Sequence, residues 1–266
     1  MEYQILDRTS FKAFLGLSTG DKVPDEKTVW LFRERLTKTG LVEELFEQFT
    51  SFLEEQALIF NEGRLIDASC TVAPRQRNTK DENKTIKEGK GDDVCNDKPT
   101  KKRHKDIDAR WTKNNGERFY GYKNHAKVDT KSKFIKKYVV TDASVHDSQA
   151  LDDVLEDQDQ DQELYADSAY TGQGQDKTIA KDEMKNKVHE KGYRNQPLTQ
   201  QQKANNTEQS KIRARVEHVF GFMEQSMKAL TLKSVGIVRA TGIIGLINLT
   251  YNLFRYEQVK RLKITY

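Results

Sequence analysis

The chain is poor in several things at once. Among its 266 residues there are two cysteines, four prolines and two tryptophans. Cys70 and Cys95 form no CxxC pair and no metal-ligand spacing. A disulfide scaffold and a zinc finger are therefore excluded, and a reducing compartment fits. Long hydrophobic runs are missing too. The longest uncharged apolar stretch, 240–254, is bounded by Arg239 and Arg255. It falls short of the roughly 20 residues that span a bilayer and reads as a buried helix, so no membrane partner is expected. The N-terminus, MEYQILDRTS, lacks the basic-then-apolar pattern of a secretory signal. Overall charge of one sign is also scarce, at a net +4, which leaves its distribution as the informative feature.

That distribution is uneven. Residues 75–137 hold 20 Lys and Arg against 10 Asp and Glu, whereas 152–163 hold seven acids and no base. A concentrated basic region points to a polyanionic partner, nucleic acid first. A solvated loop has the same composition. The length allows one large domain or a large and a small one, with enough chain for a core.

Residues 1–58 carry helical periodicity throughout. A short helix holds Phe11, Phe14 and Leu15. A second starts at Pro24-Asp25, shows Val29, Phe32 and Leu36, and ends at Gly40. A third shows Val42, Leu45, Phe46, Phe49, Phe52 and Leu53. Three such helices make either a DNA-binding head or a cap on the rest.

The mode changes near residue 59. Residues 64–72 read as a strand with Asp67 as its one central charge. Strand interiors disfavour Asp, so Asp67 either faces solvent or serves a site. An aperiodic, basic insertion, expected to be mobile, occupies 74–115. Strands at 118–129 and 134–141, joined by a short polar turn, form a hairpin. In the first of these, Lys123, His125 and Lys127 alternate onto one face, which is expected to contact DNA or to lie solvated. A helix is expected over 147–155. A short strand, 163–167, ends on Asp167 before a turn into a helix, the usual ligand position in an open α/β sheet. A fifth strand is expected over 186–192 and a polar helix over 198–206.

The stretch 211–230 reads as one amphipathic helix, with Val216, Phe220, Met223, Met227 and Leu230 on one face. Glu217 lies at the edge of that face, with Arg213 one turn before it and Gly221 one turn after. Glu217 either pairs with Arg213 at i, i+4 or points into a shared site. A last helix covers 234–259. The fold class is thus α/β: a mixed five-stranded sheet flanked by helices, a catalytic domain over 59–266 behind a small all-helical region over 1–58.

If the first and fourth strands are neighbours, Asp67 and Asp167 lie about 4.8 Å apart. Carboxylates that close repel unless a cation lies between them, and such hard oxygens suit Mg²⁺ or Mn²⁺. Glu217, from a helix packed over the strand ends, completes a two-metal site for phosphoryl displacement. Asp142 ends the third strand, two strands from Asp67, and ranks as a turn residue. His104, His189 and the cysteines are too scattered for zinc. Tyr170 either stacks on an unstacked base or packs beneath the following helix.

At these residues the chain resembles a known family. IDAS around Asp67, GYKNHAKVD at 121–129, VHDS at 145–148, ADSAY at 166–170 and RARVEHVFG at 213–221 together look like the IS5-type DDE transposases of bacterial insertion sequences. The resemblance covers nearly the whole chain from residue 23. It implies a ribonuclease H-like fold and Mg²⁺-dependent cleavage and joining of DNA at transposon ends, with two ions held by Asp67, Asp167 and Glu217. It also implies terminal inverted repeats and target DNA as partners, assembly as a homo-oligomer on paired ends, and a bacterial, nucleoid-associated location. Arg213 matches the family's Arg four residues before the Glu and is an expected DNA contact. The family often has Tyr three residues before that Arg and a basic residue seven after the Glu, where this chain has Ser210 and Glu224. Either Lys228, one turn further, substitutes as a DNA contact, or that contact is absent. The resemblance implies more helical sequence before the part matching 23–36, so a non-cleaving, DNA-binding remnant is one alternative. A nuclease that cuts without joining is another.

Overall fold

In the computed structural model, which describes residues 1–114, 116–181 and 183–264, strand β1 (Gly63–Val72) is the axis of the sheet. Its apolar residues point to both faces. Leu65 goes one way and Ile66 the other, and both are buried. A strand covered on both sides needs a helical layer on each. One edge of β1 pairs antiparallel with β3 (Glu117–Asp129), placing Asp67 opposite Ala126. The other edge pairs parallel with β5 (Glu163–Ala166), placing Ile66 opposite Ala166. Strands β2 (Arg110–Asn114) and β4 (Ile135–Asp142) lie end to end along the far edge of β3, and β6 (Lys185–Asn186) pairs parallel with β5. The result is a mixed sheet of six strands flanked by helices, compatible with a ribonuclease H-like fold. It has one strand more than expected, because β2 lies inside the insertion. The last strand is two residues long rather than spanning 186–192.

The first face is covered by α4 (Leu41–Glu55), α9 (Gln200–Gly221) and α10 (Ile237–Leu262). Phe46, Val216, Val219, Met223 and Tyr251 pack there on Leu65, Ala126, Val128 and Tyr165. The opposite face is covered by α7 (Leu151–Val154) and α8 (Gln173–Lys181), through Leu151, Val154 and Ile179 against Ile66, Leu164 and Ala166. The expected helix over 147–155 is a 3-10 turn followed by the single turn of α7.

Residues 1–58 hold four helices: α1 (Glu2–Asp7), α2 (Thr9–Phe14), α3 (Glu26–Lys38) and α4. Asp25 caps α3 by accepting from the Thr28 N–H at 2.7 Å. Glu34 of α3 pairs with Arg239 of α10 at 2.7 Å. Helix α10 is long and apolar enough, by length and composition, to cross a membrane. In this fold it is a core helix. Asn248 exchanges hydrogen bonds with Asn124 of β3, and Asn252 brackets both backbone groups of Ile135.

The insertion is folded. It holds α5 (Lys80–Lys87), α6 (Pro99–Lys102) and β2, with Ile86 and Val94 buried. A capping box between Thr79 and Glu82 starts α5. Its anchor is polar: fully buried Asp106 accepts from the Tyr122 hydroxyl at 2.7 Å, from Ala109 N–H at 2.9 Å and from Gly236 N–H at 3.1 Å. A segment held largely by carboxylates, with Asp108 accepting from the Ile237 N–H at 2.8 Å and Glu82 pairing with Lys101 and Lys105, shows no hydrophobic period, which is why its composition reads as disorder.

Where β2 and β3 adjoin β1, Gly121 has φ +157°, and a Cβ there would lie 2.1 Å from the Thr71 carbonyl oxygen. Gly121→Ala is expected to destabilise the fold by about 2–3 kcal/mol, read as a lower urea midpoint at unchanged slope.

The stretch 211–230 is not one helix. It is the second half of α9, which starts at Gln200 behind the capping residue Thr199, so the separate polar helix over 198–206 belongs to it. Helix α9 ends at Gly221 and runs into a π turn, Phe222–Ser226. Lys228 lies beyond that turn with φ +50°, off the helix rather than one turn along it. A Cβ on Gly221 would meet nothing within 4 Å, so this glycine does not clear space for Glu217.

Candidate active site

Side chains alternate along strands, so Asp67 shares the α9-facing side of β1 with Leu65. The parallel register sets Asp167, one residue past Ala166, beside Asp67 on the same side. Their carboxylates are otherwise bound only locally. Asp67 Oδ1 accepts from the Ala68 N–H at 2.9 Å, and Asp167 Oδ1 accepts from the Ser168 N–H. The cation at this edge comes from α9. Arg213 Nη2 lies 3.4 Å from Asp67 Oδ2 and 3.9 Å from Glu217 Oε1. One guanidinium thus joins the first and third of the expected acids, while the second lies on the neighbouring strand.

Burial pushes the Asp67 carboxyl above its usual value, the neighbouring Asp167 adds to the rise, and Arg213 offsets it only in part. Arg213 also holds a buried Nε–H with no partner. Glu217 is turned outward, with its side chain 65 % exposed. Among the described residues no three His, Cys, Asp or Glu side chains stand close enough together to hold an ion. The two-ion cage is therefore not closed in this geometry. The chemistry of the donor set nonetheless fits a hard divalent cation: two adjacent carboxylates, and a third on an exposed side chain one helical turn from the arginine that pairs with Asp67.

His189 is a neighbour that spacing alone did not connect. Its N–H donates to the Ala166 carbonyl at 3.1 Å, extending the β6 pairing past Asn186 and placing His189 next to Asp167. Its Nε2 lies 3.3 Å from the Ser210 hydroxyl of α9. Burial, then Arg213, keeps its imidazole below the ordinary value. The signal for it was the register of the 186–192 stretch against the strand ending on Asp167.

The cationic strip expected on β3 faces the other way. Asp67 pairs with Ala126, so Lys123, His125 and Lys127 lie on the opposite face of the sheet, under 147–159. Lys127 is fully buried, 2.6 Å from Glu156 and bonded to Asp159. Lys123 is spent on Asp147 and the Val145 carbonyl, both at 2.7 Å. His125 is fully buried, with Nε2 2.9 Å from the Thr141 hydroxyl. As placed, none of the three presents a cation to DNA, because an acidic segment covers that face. Tyr170 is also fully buried and has no surface on which a base could stack.

Burial lowers the His125 pKa to about 4, so the folded protein keeps this ring neutral. The unfolded chain binds that proton more readily, and stability is lost as pH falls from the unfolded value toward the folded one. The loss due to His125 is expected to be roughly 3 kcal/mol between pH 6.5 and 4. Urea titrations across that range should show a shallower decline for His125→Gln.

Residues 60–253 match the transposase DDE domain family, and residues 1–35 match the transposase domain DUF772. No solved structure matches the chain. The first match spans most of the sequence and contains both strands of the acidic edge as well as the arginine-bearing helix. The adjacent aspartates and the helix carrying Arg213 and Glu217 accord with that match, and the chain belongs to the DDE-domain transposases.

Proposed function

We propose that this polynucleotidyl transferase is an IS5-type transposase that cleaves DNA at the terminal inverted repeats of an insertion sequence and joins the freed end to target DNA. Asp67, Asp167 and Glu217 are the residues that would hold two Mg²⁺ or Mn²⁺ ions. Such ions, when bound, supply a hydroxide near neutral pH and stabilise charge on the phosphate oxygens. The observation that supports this most is the placement of Asp67 and Asp167 on adjacent parallel strands, with Arg213 linking Asp67 to Glu217.

The chain's own residues then divide the work. The two aspartates, fixed on strands, orient the scissile phosphate's surroundings, and Glu217, on an exposed side chain, closes over them. Arg213 pairs with Asp67 in the free protein, and its unpartnered Nε–H is a donor for a phosphate oxygen. Cations for the DNA backbone come from exposed positions of the insertion, such as Arg75 and Arg77, and from Lys228, rather than from β3. Residues 59–266 act as the catalytic domain and 1–58 as a helical region joined to it. The protein works as a homo-oligomer on paired ends, in the bacterial cytoplasm at the nucleoid.

The test is nicking of DNA bearing the element's ends, with and without Mg²⁺, for wild type and Asp67→Ala. Ion-dependent nicking by wild type alone, followed by strand transfer from pre-cleaved ends, is the expected result. Binding without nicking by either protein would overturn the proposal.

A further inference from the structure

Helix α9 carries two lines of functional side chains. Arg213 and Glu217 lie along one, and Arg215, His218 and, at the first residue of the π turn, Phe222 follow another at three- and four-residue steps. At about 100° per residue the two lines fall on nearly opposite flanks. The first faces the acidic edge. The second borders a cavity of about 540 Å³ between the end of α9, the turn joining β3 to β4, and α10. Lys133 of that turn, His218, Phe222, and Phe254 and Arg261 of α10 are among its walls.

We infer that this cavity is a phosphate-binding site, and that the phosphate belongs to the backbone of DNA lying on the flank of α9 turned away from Asp67. The site stands on its own geometry; that DNA supplies the phosphate rests on the transposase reading given above. Three features carry it. The first is positive charge without its complement. The Lys133 ammonium has the His218 ring as its polar partner, donating to Nδ1 at 3.1 Å, and Arg215 is bound to the Thr130 carbonyl. Among the described residues neither is ion-paired, and burial, then Arg255 and Arg215, holds the Lys133 pKa below its ordinary value. Cations gathered at a half-buried place repel one another unless an anion lies between them. The second is the turn itself. Lys133 has φ +64°, a backbone that favours glycine. It is held there: its N–H donates to the Asp129 carbonyl at 3.1 Å, its carbonyl accepts from the Tyr251 hydroxyl at 2.9 Å, and the buried Asp129 carboxylate accepts from the Ser132 N–H at 2.7 Å. Lysine where glycine would be free of strain has a use for its side chain. The third is a set of converging donors. With Nδ1 accepting from Lys133, the His218 ring carries its proton on Nε2 and offers a second donor. Arg255 donates to the Ser132 carbonyl at 2.9 Å, which brings its guanidinium beside Lys133. Glu257, the carboxylate on the α10 wall, is already paired with Arg261 at 2.7 Å. The Phe222 and Phe254 rings, 5.6 Å apart, give the cavity an apolar side that limits screening of these charges by water.

Two substitutions of one residue test this in the full chain, without divalent ions. Lys133→Gly removes the ammonium and relieves the backbone, so the variant folds; Lys133→Arg keeps the charge. In the first arm inorganic phosphate is titrated against chloride at equal ionic strength while the thermal midpoint is followed. Phosphate should raise the midpoints of wild type and Lys133→Arg by a few degrees more than that of Lys133→Gly. In the second arm anisotropy follows binding of an end-bearing duplex across a range of salt. Lys133→Gly should weaken binding by up to about tenfold and reduce the salt slope by about one phosphate contact, and Lys133→Arg should recover both. Equal effects of phosphate on all three proteins would overturn the site. A selective effect of phosphate beside unchanged DNA binding would overturn DNA as its source and leave both a free-phosphate site and the transposase reading standing. Failure of wild type to bind any end-bearing duplex would overturn the DNA source and the transposase reading together, while the phosphate arm still decides the site.

Discussion

Asp67→Asn is expected to lose strand cleavage by a factor on the order of 10³ while folding more stably than wild type at neutral pH. The two effects share a cause. The Asp67 carboxylate is buried beside Asp167, and burial raises its pKa above the ordinary carboxylate value. A carboxyl whose folded value is raised holds its proton more tightly in the native state than in the unfolded one. Native stability therefore falls as pH climbs from the ordinary carboxylate value through the raised one. Asparagine is nearly isosteric, keeps an acceptor for the Ala68 N–H and carries no charge to desolvate. It gives up the Arg213 attraction, but that contact is the smaller influence on Asp67. Thermal midpoints at pH 7 should rank the variant above wild type without divalent ions. Adding Mg²⁺ or Mn²⁺ should raise the wild-type midpoint and leave the variant unmoved, since a ligand stabilises only the state that binds it. A lower midpoint for Asp67→Asn would show that the Arg213 contact outweighs the burial of charge.

How far the acidic edge could be foreseen depended on the kind of information each residue carries. An Asp inside one apolar run and another ending a second run are legible, because strand interiors tolerate such charges only with a reason. Placing those runs side by side is an assumption of topology that neither run carries by itself, and the parallel β1–β5 pairing has them adjacent. The α9 face was legible only in part. Its apolar period is genuine through Val216 and Val219, but the π turn at Phe222–Ser226 breaks the phase. Positions past Met223 were therefore assigned to a helix that had already ended, Lys228 among them. The insertion was illegible for a different reason: a few carboxylates, with buried Asp106 at the centre and Asp108 and Glu82 beside it, do much of the work that a hydrophobic stripe does elsewhere. Periodicity also cannot say which face of a strand is covered. Lys123, His125 and Lys127 alternate as a solvent-facing row would, and only the fold brings 147–159 over them.

That covered row leads to the second large effect, in the network around Lys127. Its ammonium lies between Glu156 and Asp159, and Asp159 in turn accepts from Arg64 Nε at 3.0 Å. Arg64 also reaches Asp129 at 3.1 Å, and Asp129 accepts from the Ser132 N–H and hydroxyl, both at 2.7 Å. Arg64, Lys127, Asp129 and Asp159 are all fully buried. Two buried cations and two buried anions, with half-buried Glu156 at the margin, balance only while every member is present. Burial already drives the Lys127 pKa down, and Asp159 with Glu156 draws it back. Lys127→Met keeps the volume but leaves Asp159 facing Glu156 without the cation between them. Breaking a buried pair from one side is expected to destabilise by about 3–5 kcal/mol, whereas trimming an exposed cation is expected to change stability by less than about 0.5 kcal/mol. Urea unfolding of Lys127→Met beside Lys228→Ala separates the two roles. The buried variant should unfold at markedly lower denaturant yet leave the salt dependence of DNA binding as in wild type. Lys228→Ala should keep its stability and reduce the salt slope by about one phosphate contact. A Lys127→Met protein as stable as wild type, with a reduced salt slope, would mean that β3 turns this face to DNA after all and that the acidic segment 147–159 moves aside to let it.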